Sequence, residues 1–150
     1  KLTQEPLQVN LAISLHAPND ELRTKIMRVN QSYPLEKILG VVKKYLKKTR
    51  RKVMFQYIMI KGVNDDLEQA RELARLLRAH FSISLFMVNL IAYNPTGIFE
   101  PSNRERIKEF KEILAGQKIE VTERYRFGRG IKAACGQLTT QTANRTDKFI

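Results

Sequence analysis

One cysteine, two histidines and a few serine, asparagine and arginine residues are the side chains of this 150-residue sequence best suited to chemistry. Cys135 is the single thiol, so the chain builds no internal disulfide and no multi-thiolate metal site, and the two histidines do not rescue one. No metal site is expected in this chain. Next to Ala133 and Ala134, Cys135 suits a small buried hydrophobe or a reactive thiol. Ser14 and His16 end a first apolar run, Lys61, Gly62 and Asn64 follow a second, Asn94 a third, and Arg126, Gly128 and Cys135 a fourth. A histidine in such a place is more often a hydrogen-bonded structural residue than a catalytic one. Asn64 reads as a helix cap, and Asn94 before Pro95 suits turn initiation as well as ligand binding.

These residues need elements to bring them together. Val9 to Leu15 reads as a strand that ends at His16, and Pro18-Asn19-Asp20 opens a short helix through Met27. Pro34 suits the start of a second helix, whose Leu35, Ile38, Leu39, Val42 and Leu46 form one apolar stripe. Val53 to Ile60 reads as a buried strand closed by Gly62-Val63-Asn64-Asp65. A helix from about Asp66 to Arg78 and a strand from Ile83 to Ile91 follow. Ser102 and Glu105 fit a capping box, and the helix they open ends at Gly116. Ile119 to Tyr125 is a fourth strand, leading to Phe127-Gly128-Arg129-Gly130 and a short helical Ile131 to Cys135.

Strands that alternate with helices argue a parallel sheet. The expected fold class is α/β, a partial β/α (TIM-like) barrel of four parallel strands, with an open α/β domain as the alternative. The chain reads as one unit, 1–150, with a core over about 9–138 and a polar tail over 139–150. In such folds the loops after the strands share one rim where ligands bind. The polar residues named above all fall on that rim.

Charge narrows the partners. Twenty-seven Lys and Arg against 15 Asp and Glu give a net charge of +12, and nucleic acid is the commonest partner of so basic a surface. Lys43, Lys44, Lys47, Lys48, Arg50, Arg51 and Lys52 end a helix and enter a strand, so they face the rim opposite the ligand rim and complement a helix dipole. Arg124, Arg126, Arg129 and Lys132 flank Cys135 and are the better candidates for RNA contact. No apolar stretch is long enough to span a bilayer and no leader pattern opens the sequence, so a cytoplasmic, non-membrane setting is expected.

Four segments carry a resemblance: Val9-Asn10-Leu11-Ala12-Ile13-Ser14-Leu15-His16-Ala17-Pro18, Ile60-Lys61-Gly62-Val63-Asn64-Asp65, Val88-Asn89-Leu90-Ile91-Ala92-Tyr93-Asn94-Pro95 and Ala133-Ala134-Cys135-Gly136-Gln137-Leu138. In this order and spacing the chain resembles the carboxy-terminal half of the radical S-adenosylmethionine adenine methyltransferases of the RlmN/Cfr type. The resemblance implies a β/α barrel that uses S-adenosylmethionine and a [4Fe-4S] cluster to methylate an adenine carbon in 23S rRNA and, in some members, tRNA. It implies that Ser14, Leu15, His16 and Asn94 contact the cofactor. It implies that Cys135 is methylated first and then, as a carbon-centred radical on its thioether, adds to the base.

The cluster motif CxxxCxxC of that family is absent from this sequence, so the resemblance implies that the chain does not catalyse alone. It implies as partners the amino-terminal half of the same protein, a reductant protein and the RNA. Carbon 2 is the expected target, with the carbon 8 chemistry of the resistance-type relatives as a subordinate option. Two readings from other classes stand beside it. One is a non-catalytic basic α/β module that binds RNA; the other is a thiol enzyme that pairs Cys135 with His16.

Overall fold

A computed structural model of the chain describes residues 9–95 and 97–124. Four strands, β1 (Leu11–Ser14), β2 (Val53–Met59), β3 (Phe86–Ala92) and β4 (Val121–Arg124), alternate with helices α1 (Asp20–Ile26), α2 (Leu35–Thr49), α3 (Leu67–His80) and α4 (Arg104–Gly116). All neighbouring strands are parallel and follow the chain order β1-β2-β3-β4. That is the sequential arc the alternation of strands and helices predicts, and β1 and β4 each have one edge unpaired among the described residues. No helix there is long and apolar enough to cross a membrane.

Side chains alternate across each strand, which gives the sheet two different faces. Val53, Phe55, Tyr57 and Met59 of β2 and Phe86, Val88 and Leu90 of β3 are buried in one core with Leu39, Val42 and Leu46 of α2, Leu73 and Leu77 of α3, and Phe110 and Leu114 of α4. Phe55 stacks on Phe81 with ring centroids 5.5 Å apart and meets Phe86 edge-on at 6.1 Å. The residues between, Met54, Gln56 and Ile58 on β2 and Met87 and Ile91 on β3, lie on the other face and stay partly exposed. Among the described residues helices thus cover one face only.

Several boundaries differ from the sequence expectation for local reasons. The third strand begins at Phe86, because Ile83–Leu85 form a single 3-10 turn closed by the Leu85 amide on the Ser82 carbonyl. The second helix begins at Leu35, with Pro34 as its N-cap. Asn103, and not Ser102, caps α4 by accepting from the Arg106 amide at 2.7 Å. The Ser102 hydroxyl is buried and has no hydrogen-bond partner among the described residues. Asp66 caps α3, and Gln69 completes a capping box there.

Candidate functional site at the strand ends

The rim is built where β1 stops and β2 continues. After Ser14 the chain bends away through His16, whose φ is +64°, a left-handed conformation uncommon for a side chain with a Cβ. The Leu15 and His16 amides both donate to the Gln56 carbonyl, at 3.0 and 3.2 Å. The next free amide on β2, that of Ile58, donates to His16 Nδ1 at 3.1 Å. The imidazole therefore takes the place of a main-chain carbonyl and extends the strand pairing by one rung.

Burial, and then the positive charge of Arg23, lower the His16 pKa from 6.5 to about 4, against the effect of its backbone hydrogen bond. The ring is neutral at physiological pH. With Nδ1 an acceptor, the proton of the neutral ring sits on Nε2.

Two residues hold this corner from behind. Arg23, only 2% exposed, donates from Nε to the Leu15 carbonyl at 3.0 Å and from its other nitrogens to the Ser14 carbonyl at 3.1 Å, the Tyr33 carbonyl at 3.0 Å and Asn30 Oδ1 at 2.5 Å. A buried guanidinium is costly unless its donors are satisfied, and here three main-chain carbonyls and one amide oxygen satisfy them. Asn64, fully buried, accepts from the Ile60 amide at 2.7 Å and donates to the carbonyls of His16 at 2.8 Å and Ile58 at 2.6 Å. The helix-cap reading of Asn64 is thus corrected: Asp66 caps α3, while Asn64 ties the ends of β1 and β2 together. The Tyr57 hydroxyl reinforces that tie by donating to the Asn64 carbonyl at 2.7 Å.

The other named residues are placed as follows. Ser14 is exposed on the uncovered face, and its hydroxyl donates to Gln56 Oε1 at 3.5 Å. The Leu15 side chain lies in the hydrophobic core, so this residue reaches the rim only through its backbone. Asn94 is half-buried two residues beyond β3, in the loop that leads to the exposed Ile98. Lys61 pairs with Glu100 at 3.0 Å, and Gly62 takes a φ of +66° in the turn closed by its amide on Asp65 Oδ1. Arg124 is exposed at the end of β4, in register with Ile91. Arg126, Arg129, Lys132 and Cys135 lie outside the described residues, as does the expected tail 139–150.

Sequence reasoning missed Arg23 and Gln56 and took Asn64 for a cap. Gln56 carried a signal, a polar residue inside the apolar run Val53 to Met59. Arg23 carried none, because a basic residue on a short helix ordinarily points to solvent.

Among the described residues no group of three His, Cys, Asp or Glu side chains is placed to hold a metal ion. With one cysteine in 150 residues, this chain cannot supply the thiolates of an iron-sulfur cluster. A nucleoside cofactor is a different matter. The exposed Ser14 hydroxyl and the polar side chains of the uncovered face form a neutral donor and acceptor surface beside apolar side chains, which fits such a group.

Fold and site together define a parallel β/α protein whose polar residues gather at the carboxyl ends of its strands. No family model matches the chain. It is 45% identical over 144 residues to a probable dual-specificity RNA methyltransferase RlmN of Streptococcus pyogenes serotype M5 (strain Manfredo), with 94% of this chain and 40% of that protein aligned. It is 47% identical over 150 residues to the protein of the same description from Caldicellulosiruptor saccharolyticus, covering 99% of this chain and 42% of the relative. A radical SAM methyltransferase from Sphaerobacter thermophilus superposes with a TM-score of 0.84 at 46% identity, over 91% of this chain and 39% of that one. A domain of a pyruvate-formate lyase-activating enzyme from Bacteroides vulgatus shares the fold alone, at 19% identity and a TM-score of 0.61. Over nearly its whole length the chain is similar to radical S-adenosylmethionine methyltransferases of the RlmN type. It spans about 40% of the length of the curated relatives it matches.

Proposed function

We propose that this chain forms part of the barrel of an RNA methyltransferase that adds a methyl group to carbon 2 of an adenine, in 23S rRNA and in tRNA as a second substrate. The identity of 45% and 47%, over 94% and 99% of this chain, to relatives described as probable dual-specificity RNA methyltransferases is the observation that carries this reading. S-adenosylmethionine supplies the methyl group and, with electrons from a [4Fe-4S] cluster held outside this chain and its reductant, the radical chemistry.

The chain's own residues bind and position. Ser14 and the His16 Nε2–H offer neutral hydrogen bonds to a polar nucleoside, and Arg23 and Asn64 fix the backbone that presents them. Asn94 offers a carboxamide from the neighbouring loop. Cys135 gives up its thiol proton on accepting the methyl group and then carries that carbon to the base. Sulfur suits this role because its thioether tolerates both an electrophilic methyl donor and a radical on the attached carbon. Arg124, Arg126, Arg129 and Lys132 hold RNA phosphates near that thiol.

An apolar groove of about 760 Å³ runs along the open side of β1, lined by Leu11, Ile13, Met27, Val29, Tyr33 and Val41 among others. It supports the reading that a further β/α unit of the same polypeptide packs there. A cytoplasmic setting belongs to the same reading, since rRNA and tRNA are the substrates. Replacement of Cys135 by Ala in the full-length protein is expected to abolish methyladenine in cellular rRNA, measured by mass spectrometry of nucleosides. Methylation that persists in Cys135→Ala rules out the carrier role.

A further inference from the structure

The face of the sheet that no helix of the described residues covers carries a polar row. Ser14, Gln56, Asn89 and Thr122 are register neighbours, one from each strand, at the same level of the sheet. The rows beside it are largely apolar: Ala12, Met54 and Met87 on one side, Ile58 and Ile91 with Arg124 on the other. Glutamine and asparagine gain nothing from a strand interior, and parallel strands covered on both faces run as near-continuous apolar segments. Four polar residues at one level are not what packing of this face against apolar surface selects.

Their hydrogen bonds orient them. Ser14 donates to Gln56 Oε1 at 3.5 Å, and Thr122 donates to Asn89 Oδ1 at 2.9 Å. Both amide oxygens are engaged, which leaves the two –NH2 groups, adjacent in register, as donors without an acceptor among the described residues. Asn89 is only 8% exposed, and its amide nitrogen keeps a narrow opening to solvent.

We infer that Gln56 and Asn89 form a ledge of N–H donors that holds the nucleoside part of S-adenosylmethionine through its ring nitrogens and ribose oxygens. The ledge is neutral and therefore suits neutral acceptors better than an anion. Ile58 and Ile91, one row nearer the strand ends, supply apolar surface for the face of a purine ring. Ser14 stands at one end of the same row. This inference rests on the proposed function and adds two residues to its cofactor site.

The test titrates S-adenosylmethionine and S-adenosylhomocysteine into the full-length, cluster-loaded protein. Gln56→Glu and Asn89→Asp keep the side-chain size and the oxygen that accepts the hydroxyl but remove the donors; Gln56→Met removes all polarity at similar volume. Each variant is expected to bind both nucleosides roughly tenfold more weakly with its affinity for an RNA hairpin unchanged; the Gln56 variants keep their melting temperature, whereas Asn89→Asp lowers it because a carboxylate replaces a buried amide. Unchanged nucleoside affinity in folded Gln56→Met and Asn89→Asp overturns the ledge, and so does a loss confined to RNA. Should Asn89→Asp fail to fold, the half-buried Gln56 decides the matter. A wild-type protein that binds no S-adenosylmethionine sinks the proposed function, and the ledge with it, whereas wild-type binding with unaffected variants sinks the ledge alone.

Discussion

His16 does with an imidazole what a strand ordinarily does with a carbonyl. Nδ1 accepts from the Ile58 amide, and burial together with the nearby Arg23 charge lowers the ring's pKa from 6.5 to about 4, so the native state favours the neutral ring. Between these values the unfolded chain binds a proton that the folded chain does not, so stability rises with pH. The contribution is complete above about pH 6.5 and is lost as the pH falls toward 4; over the whole window it amounts to ~3 kcal/mol at most. Urea unfolding of the full-length protein at a series of pH values is expected to show this slope, and His16→Gln to flatten it. Equal slopes in the two proteins would contradict the assignment. Reading the sequence as a strand that ends in a hydrogen-bonded histidine was sound for His16. Its partner was hidden, because Ile58 lies 42 residues away and only the parallel register brings its amide to the ring.

The β1 and β2 ends form one element of the site, and Asn64 is its fastener. Asn64 spans two strands, so its removal leaves the Ile60 amide and the carbonyls of His16 and Ile58 without their buried partner. Asn64→Ala is expected to cost about 3 kcal/mol, and Asn64→Asp a similar amount, since a carboxylate meets two carbonyls where the amide donated to them. The denaturant midpoint measures both, and a shift no larger than that of Asp66→Ala, a cap worth about 1 kcal/mol, would refute the fastener role. The sequence placed Asn64 in a turn before a helix, where capping is the ordinary use of asparagine. What it lacked was the left-handed turn at His16, which aims that residue's carbonyl at Asn64. A similar local ambiguity shifted the cap of α4 by one residue, since Ser102 and Asn103 both suit the position and packing buried the serine.

Across the whole molecule the net charge is +12, and two groups of cations, Lys43 to Lys52 and Arg124 to Lys132, are the candidates for RNA contact. Lys52, just before β2, pairs with Glu120 at 2.6 Å. Lys43, Lys44, Lys47 and Lys48 lie toward the end of α2, which leads to the opposite end of the strands from the Ser14 and His16 corner, so neutralising them in the full-length protein is expected to leave the salt dependence of RNA binding nearly unchanged. Neutralising Arg124, Arg126, Arg129 and Lys132 is expected to reduce the slope of log K against log salt by roughly 0.7 for every phosphate that no longer meets a cation. Filter binding of an RNA hairpin at several salt concentrations distinguishes the two, and the reverse ranking would exchange the roles of the two groups. By itself the sequence determined the alternation of strands and helices, the parallel order, the rim on which Ser14, His16 and Asn94 fall, and the family resemblance. Each of these follows from local periodicity or from residues contiguous in the chain. Only the tertiary structure decided that Arg23 and Asn64 clamp the Ser14 to His16 corner and that Gln56, Asn89 and Thr122 align with Ser14. Those relations depend on the register between strands and on the direction of buried hydrogen bonds, which no single segment of the sequence specifies.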